Sequence, residues 1–195
     1  MTNVRAFTDK ELLGKVEEIG GTIPNEGSKY LIIGVSSLKD EYNIFDDKFY
    51  VYDGKRFIMS SSGTTNAGST ALKTFDEYKL EGAAVWKTNM WYKDLYIPGK
   101  HKGRMKALRQ NEPIYYYRDS DRDNKAEEQG KLHYGIIYAN MHGVDYNPFS
   151  NKIGSNIGGW SFACQVWNRM SDYRLMIDAT WERNKAVDYA LLKEW

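Results

Sequence analysis

Asp53-Gly54 lies between two short runs, Phe49-Tyr-Val-Tyr52, all aromatic or β-branched, and Lys55-Arg-Phe-Ile-Met59, which centres on Phe57 and Ile58; both are too short for a helix. Two such runs joined by Asp-Gly read as an antiparallel hairpin, with the type I′ turn that needs positive φ at both central residues. The same character recurs along the chain. Tyr30–Val35, Ala83–Trp86, Ile114–Tyr117, His133–Ala139 and Ser161–Trp167 are strand candidates, and Ser60–Gly68 is a small-residue loop or an irregular strand end. Aromatic residues gather in FYVY (49–52), WYKDLY (91–96) and YYY (115–117), which suits sheet faces and core anchors. The fold class expected is mainly β.

Helical signals sit toward the ends. Thr8-Asp9-Lys10-Glu11 has the capping-box spacing, in which a Thr hydroxyl and a Glu carboxylate satisfy opposite orphan amides. Leu12, Leu13, Val16 and Ile19 follow at helical spacing, and Gly20-Gly21 supplies a stop. Helical character returns from about Arg174 and is expected to continue toward Trp195. The chain has 195 residues and no linker rich in Pro, Gly or Ser. It therefore divides into an N-terminal helical appendage, 1–28, and a single domain, 29–195, with a C-terminal helix.

Charge and hydropathy narrow the function. With 27 basic and 26 acidic residues the net charge is +1, so bulk charge gives no footprint for nucleic acid. The longest apolar run, Tyr30–Val35, falls far short of the ~20 residues that span a bilayer. The charged N-terminus has no apolar h-region, so no secretory signal peptide is expected. One cysteine cannot form an internal disulfide.

That cysteine is the first candidate for chemistry. Cys164 follows Gly158-Gly159-Trp160-Ser161-Phe162-Ala163, a stretch in which small residues allow backbone amides to approach a reacting carbonyl. A thiol of ordinary pKa ~8.5 needs help to ionise at neutral pH, and an imidazole is the usual helper. His101, His133 and His142 all precede Cys164, so any Cys–His pair runs histidine first. The bland alternative is a small buried hydrophobe. Ser161 either orients the histidine or substrate, or bonds its local backbone.

His142-Gly143 followed by Ser161-Phe162-Ala163-Cys164-Gln165-Val166 resembles the catalytic signature of the L,D-transpeptidases, the YkuD-like family. Upstream, Asp46–Lys55 followed by Ser62-Gly63-Thr64-Thr65 resembles the opening hairpin of that family. A phage and Bacteroidetes subgroup is closer still. Its pattern is matched here by Pro98–Gly103 with Ala107–Gln110, Tyr117-Arg118-Asp119 with Asp123-Asn124, Gly135-Ile136, His142 and Trp160–Val166. The likeness covers roughly residues 45–170. It implies a β-sandwich whose curved sheet holds a cleft, with peripheral terminal helices. It also implies acyl transfer or hydrolysis on peptidoglycan stem peptides, with Cys164 as nucleophile, His142 as base and the backbone at Ala163 and Cys164 as oxyanion donor. His101, Arg118, Gly143, Trp160 and Gln165 fall on the substrate side by the same resemblance. The expected partner is a peptidoglycan peptide, with other virion proteins as a further class and neither nucleic acid nor membrane. Delivery would be as part of a virion, by lysis or by another route. Two positions depart from the family. Ala163 replaces a glycine and Val166 an arginine that helps hold the donor peptide, which leaves hydrolysis versus transfer open.

Other motifs add little. His101 lies in a basic run with Lys100, Lys102, Arg104 and Lys106, which also suits a solvated loop, and His133 reads as structural. Asp119-Ser-Asp-Arg-Asp-Asn124 opens like a calcium loop, but position six is Asn124 and position twelve is Gly130, so an exposed acidic turn is the better reading. The histidines and the cysteine lack zinc-ligand spacing, and no phosphate-cradling glycine loop is present. No cofactor or metal is expected. Two rivals to the enzyme remain: a structural or binding protein, such as a virion component, that keeps the fold without turnover, and an unrelated β-protein whose thiol is inert.

Overall fold

The structure, a computed structural model, describes residues 4–195. Its elements in chain order are α1 (Asp9–Glu18), β1 (Tyr30–Ser36), β2 (Asp47–Asp53), β3 (Arg56–Thr64), α2 (Ser69–Thr74), β4 (Ala83–Trp86) and β5 (Met90–His101). There follow β6 (Met105–Gln110), β7 (Ile114–Asp119), β8 (His133–Gly135), β9 (Met141–Gly143), β10 (Gln165–Trp167), α3 (Met170–Arg183) and β11 (Val187–Lys193). Eight strands close into a barrel in the order β1-β11-β5-β6-β9-β10-β3-β2, and β4-β7-β8 form a small separate sheet. The pairs β1–β11 and β9–β10 are parallel and the rest of the barrel is antiparallel.

The mainly β expectation holds. The sheet order is that of a closed barrel with a satellite sheet, and it does not by itself give the two-sheet sandwich that the resemblance implies.

Period-two alternation explains how the barrel wall is buried on both faces. Along β1, Leu31, Ile33 and Val35 join Leu12 and Val16 of α1 in one cluster, together with Tyr50, Tyr52, Ala190 and Leu192. The alternate residues Ile32, Phe49, Val51, Tyr189 and Leu191 belong to the main core with Trp86, Tyr96 and Trp167. Residues 4–19 are thus seated on the outer wall of the barrel through buried Val4, Phe7, Leu12 and Val16. The capping box forms as expected, Glu11 N–H donating to Thr8 Oγ1 at 3.3 Å and Thr8 N–H to Glu11 Oε2 at 2.7 Å.

Two local expectations are corrected. The β2–β3 hairpin pairs Asp53 with Arg56, so its central residues are Gly54 and Lys55 rather than Asp53 and Gly54. Only Gly54 has positive φ, +62°, which is the type II′ pattern with glycine first. Asp53 instead serves as an ion-pair hub: its buried carboxylate takes two hydrogen bonds from Arg183, 2.8 and 2.9 Å, one from Arg56 and one from the Gly27 N–H. The second correction concerns the end of the chain. The helix stops at Arg183, where left-handed Asn184 (φ 49°) breaks it, and Val187–Lys193 becomes a strand between β1 and β5. A helix through Trp195 would have left the edges of β1 and β5 unpaired and the barrel open.

Candidate active site

Three barrel segments bring the candidate residues together. The β5–β6 hairpin turns through Lys102 (φ 48°) and Gly103 (φ +69°), closed by Arg104 N–H donating to His101 O at 3.0 Å. This is a type I′ turn, and it fixes His101 at the last position of β5. Next in the sheet, β9 pairs with β6 at Leu108–Met141 and with β10 in parallel, setting His142 opposite Val166. Gln165 N–H donates to Asn140 O at 2.9 Å, which extends that ladder and holds Cys164 beside β9.

His101, His142 and Cys164 are all buried, with one ligand atom of each within 4.8 Å of the others. The two imidazole centroids lie 4.1 Å apart at 33°. His142 Nδ1 faces Gly143 O at 2.8 Å. A carbonyl oxygen only accepts, so Nδ1 carries the hydrogen and Nε2 the lone pair. That Nε2 is buried and has no hydrogen-bond partner among the described residues. Asn140 Nδ2 adjoins His101 Nδ1 at 3.4 Å, and its Oδ1 accepts from Gln110 N–H. The sulfur is 3.9 Å from the Tyr138 carbonyl.

Burial dominates the electrostatics. It lowers the His142 imidazole to about 3, helped by the neighbouring His101, and that of His101 to about 4, with Lys102 adding to the effect. It raises the Cys164 thiol to about 11, against the pull of the Asn140 backbone amide and Lys102. The resting pair at neutral pH is therefore a thiol beside a neutral imidazole, not the thiolate that the sequence suggested.

The Cys164 loop is held from both sides. Trp86 Nε1–H donates to Ala163 O at 2.8 Å, and the Ser161 hydroxyl donates to Cys164 O at 2.8 Å. No hydrogen bond occupies the N–H of Ala163 or of Cys164 among the described residues. Ala163 has no positive φ, so its methyl carries no left-handed strain. Val166, where the family has arginine, is fully buried, a place where a guanidinium would be costly. The neighbours of His142 on the Trp160 side are aromatic and basic. Trp160 lies 6.1 Å from the His142 ring, Tyr146 lies 5.1 Å from Trp160, and Arg104 stacks 4.4 Å over Tyr146.

Several expected roles change. His101 is neither a solvated loop residue nor a peripheral contact; it is buried against the proposed base. Ser161 bonds its own loop rather than a histidine. Gln165 is fully buried, with Tyr189 Oη–H donating to its Oε1 and its Nε2–H donating to Thr65 O, so it faces the barrel interior rather than a substrate. Gly143 acts through its backbone: its carbonyl orients His142, and a Cβ there would meet Met170 Sδ and, at 2.8 Å, Tyr173. Arg118 lies on the small sheet, donating to Gly82 O and lying over the Tyr116 ring, with no hydrogen bond to the cluster among the described residues. His133 stacks on Tyr116 at 5.2 Å, as a structural residue would. The acidic turn spends its carboxylates on its own backbone, Asp119 accepting from Asp121 N–H, Asp121 from Asp123 N–H and Asp123 from Lys125 N–H. Asn140, Tyr138 and Trp86 had no assigned role in the sequence and prove to frame the site.

The chain matches no protein-family model, no curated protein and no solved structure.

Proposed function

We propose that the chain is a cysteine-dependent acyl transferase or hydrolase acting on peptidoglycan stem peptides. The observation that carries this reading is the juxtaposition of Cys164 with His142, whose Nδ1–H is tied to Gly143 O so that its lone pair is on Nε2. The substrate class and the L,D-transpeptidase-like ancestry rest on the resemblance of His142-Gly143 and Trp160–Val166.

The chemistry follows from the residues. His142 Nε2 takes the thiol proton as Sγ attacks a peptide carbonyl, which needs no standing thiolate. The free N–H groups at Ala163 and Cys164 are suited to the oxyanion, at about 2.7–4 kcal/mol per donor. The C–N bond breaks as His142 returns the proton to the leaving amine, and a thioester remains on Cys164. Water then gives hydrolysis; a second amine gives a new cross-link. Because Cys164 is only 8% exposed, with the Tyr138 carbonyl over the sulfur, substrate entry requires the 138–140 segment to shift.

Purified sacculi incubated with the chain test this reading by mass spectrometry. Released peptides indicate hydrolysis and new cross-links indicate transfer, and either is expected to vanish in Cys164→Ala. Unchanged sacculi would overturn it in favour of the second reading, a structural or binding protein that retains the scaffold. The burial of the thiol is the observation that favours that alternative.

A further inference from the structure

We propose that His101, His142 and Cys164 form a three-ligand site for a thiophilic divalent cation, with zinc as the best match. This goes beyond acyl transfer and does not depend on it. Two imidazoles and a thiolate are a donor set suited to zinc, and three protein ligands leave a fourth tetrahedral position for water. Zn–N and Zn–S bonds of about 2.0–2.1 and 2.3 Å put tetrahedral donors roughly 3.3–3.6 Å apart. The three donor atoms here already lie within 4.8 Å of one another, so a small contraction closes the site.

An independent feature points the same way. His142 is fully buried and its Nε2 makes no hydrogen bond among the described residues, although the Trp160 backbone also acts on the ring. A buried acceptor left unpaired calls for an explanation, and a coordinated cation supplies one. The other nitrogen of the ring donates to Gly143 O at 2.8 Å. That is the arrangement by which proteins fix the tautomer and direction of a metal-binding histidine. At His101, Asn140 Oδ1 accepts from Gln110 N–H, so its Nδ2 can only donate; the His101 lone pair is therefore on Nδ1, 3.4 Å from that amide, and coordination displaces this contact. Binding would proceed with each neutral imidazole donating its one lone pair, that of His101 released from the Asn140 amide, and with the Cys164 thiol releasing its proton to solvent as the S–metal bond forms. The sulfur would then be unavailable as a nucleophile.

Cobalt(II) is the probe. Titrated into the chelator-treated full chain, it should bind one equivalent and produce a thiolate-to-cobalt charge-transfer band that zinc abolishes by displacement. Cys164→Ser should lose the band, and His101→Gln and His142→Gln should each weaken zinc at least tenfold in competition with a chromophoric chelator. Because these buried substitutions could disturb folding, the unmutated chain carries a second test: one equivalent of zinc should block alkylation of Cys164, and chelator should restore it. Cobalt binding without the band, or alkylation indifferent to zinc, would overturn the site. A chain that alters sacculi yet takes up no cobalt loses the cation site alone, whereas one that binds cobalt but leaves sacculi unchanged in chelator loses only the acyl-transfer reading.

Discussion

His101 lies against His142 with ring centroids 4.1 Å apart, yet only His142 has a tautomer set by a backbone carbonyl, Gly143 O at 2.8 Å. On the proposed acyl-transfer reading, this asymmetry suits His142 to the role of base and His101 to that of a positioning ring. His142→Gln should lower turnover on sacculi by about 10²–10⁴-fold, the usual worth of general-base catalysis. His101→Gln keeps a neutral polar side chain and should lose about ten- to a hundredfold through misplacement, in kcat rather than KM. Steady-state kinetics of the two variants checks this, and equal losses would refute the division of roles.

Trp86 reaches from the small sheet to the loop that carries the thiol, its Nε1–H donating to Ala163 O at 2.8 Å in a fully buried setting. Trp86→Phe leaves that carbonyl unpaired and opens space beside Tyr92 and Tyr189, which pack on the indole at 6.2 and 5.9 Å. The unpaired carbonyl alone should cost about 1–3 kcal/mol. Urea unfolding measures the loss, and the alkylation rate of Cys164 should rise as its loop loosens.

Ser161 invites mutation because a serine three residues before the proposed nucleophile suggests a chemical role. Its hydroxyl is bonded to Cys164 O at 2.8 Å and is buried, so its effect should be mainly on stability. Ser161→Ala should destabilise the fold by about 1–3 kcal/mol by stranding the carbonyl. The pH profile of turnover should keep its shape, whereas a changed profile would mean that Ser161 takes part in proton transfer.

Legibility followed the range of the forces involved. The β2–β3 hairpin and α1 were readable because alternation, an Asp-Gly turn signal and a capping box are local, even though the turn proved to be Gly54-Lys55. The strand β11 was not readable. Val-Asp-Tyr-Ala-Leu-Leu-Lys has a helix former at several positions, and its strand state comes from parallel pairing with β1, far away in sequence. There Tyr189 and Leu191 join the interior while Ala190 and Leu192 meet the α1 cluster. At the site, His142 and Cys164 were legible through the order of their motifs. His101 was placed on the substrate side by the resemblance, while its basic neighbours also suited a solvated loop; neither reading put its ring against His142, where it lies buried at the end of β5 beside the Lys102-Gly103 turn. Gln165 could have been excluded from the substrate side. Strand alternation turns it, with Trp167, toward Tyr189 and Phe49 and away from the face of its neighbour Cys164.

The Asp53–Arg183 pair ties the β2–β3 turn to the end of α3, and its acid response follows from the direction of one shift. Bidentate hydrogen bonding from Arg183, with help from Gly27 N–H and Arg56, holds the Asp53 carboxyl far below the usual carboxylate range. The folded state therefore binds this proton less readily than the unfolded chain, whose aspartates titrate near ~3.9. Stability from the pair is present in full above that value and is lost as pH falls toward the folded titration. Arg183→Leu should cost about 1.5–3 kcal/mol at neutral pH, because Asp53 loses its bidentate partner but keeps Arg56 and the Gly27 N–H. The variant should also lose much of the slope of stability against pH below ~4, since the carboxyl then takes up its proton more readily in the folded state. Urea unfolding of both chains from pH 7 down to the acid limit of folding measures both effects. A parallel acid slope in the two proteins would show that other carboxylates carry the response and that this pair contributes little to it.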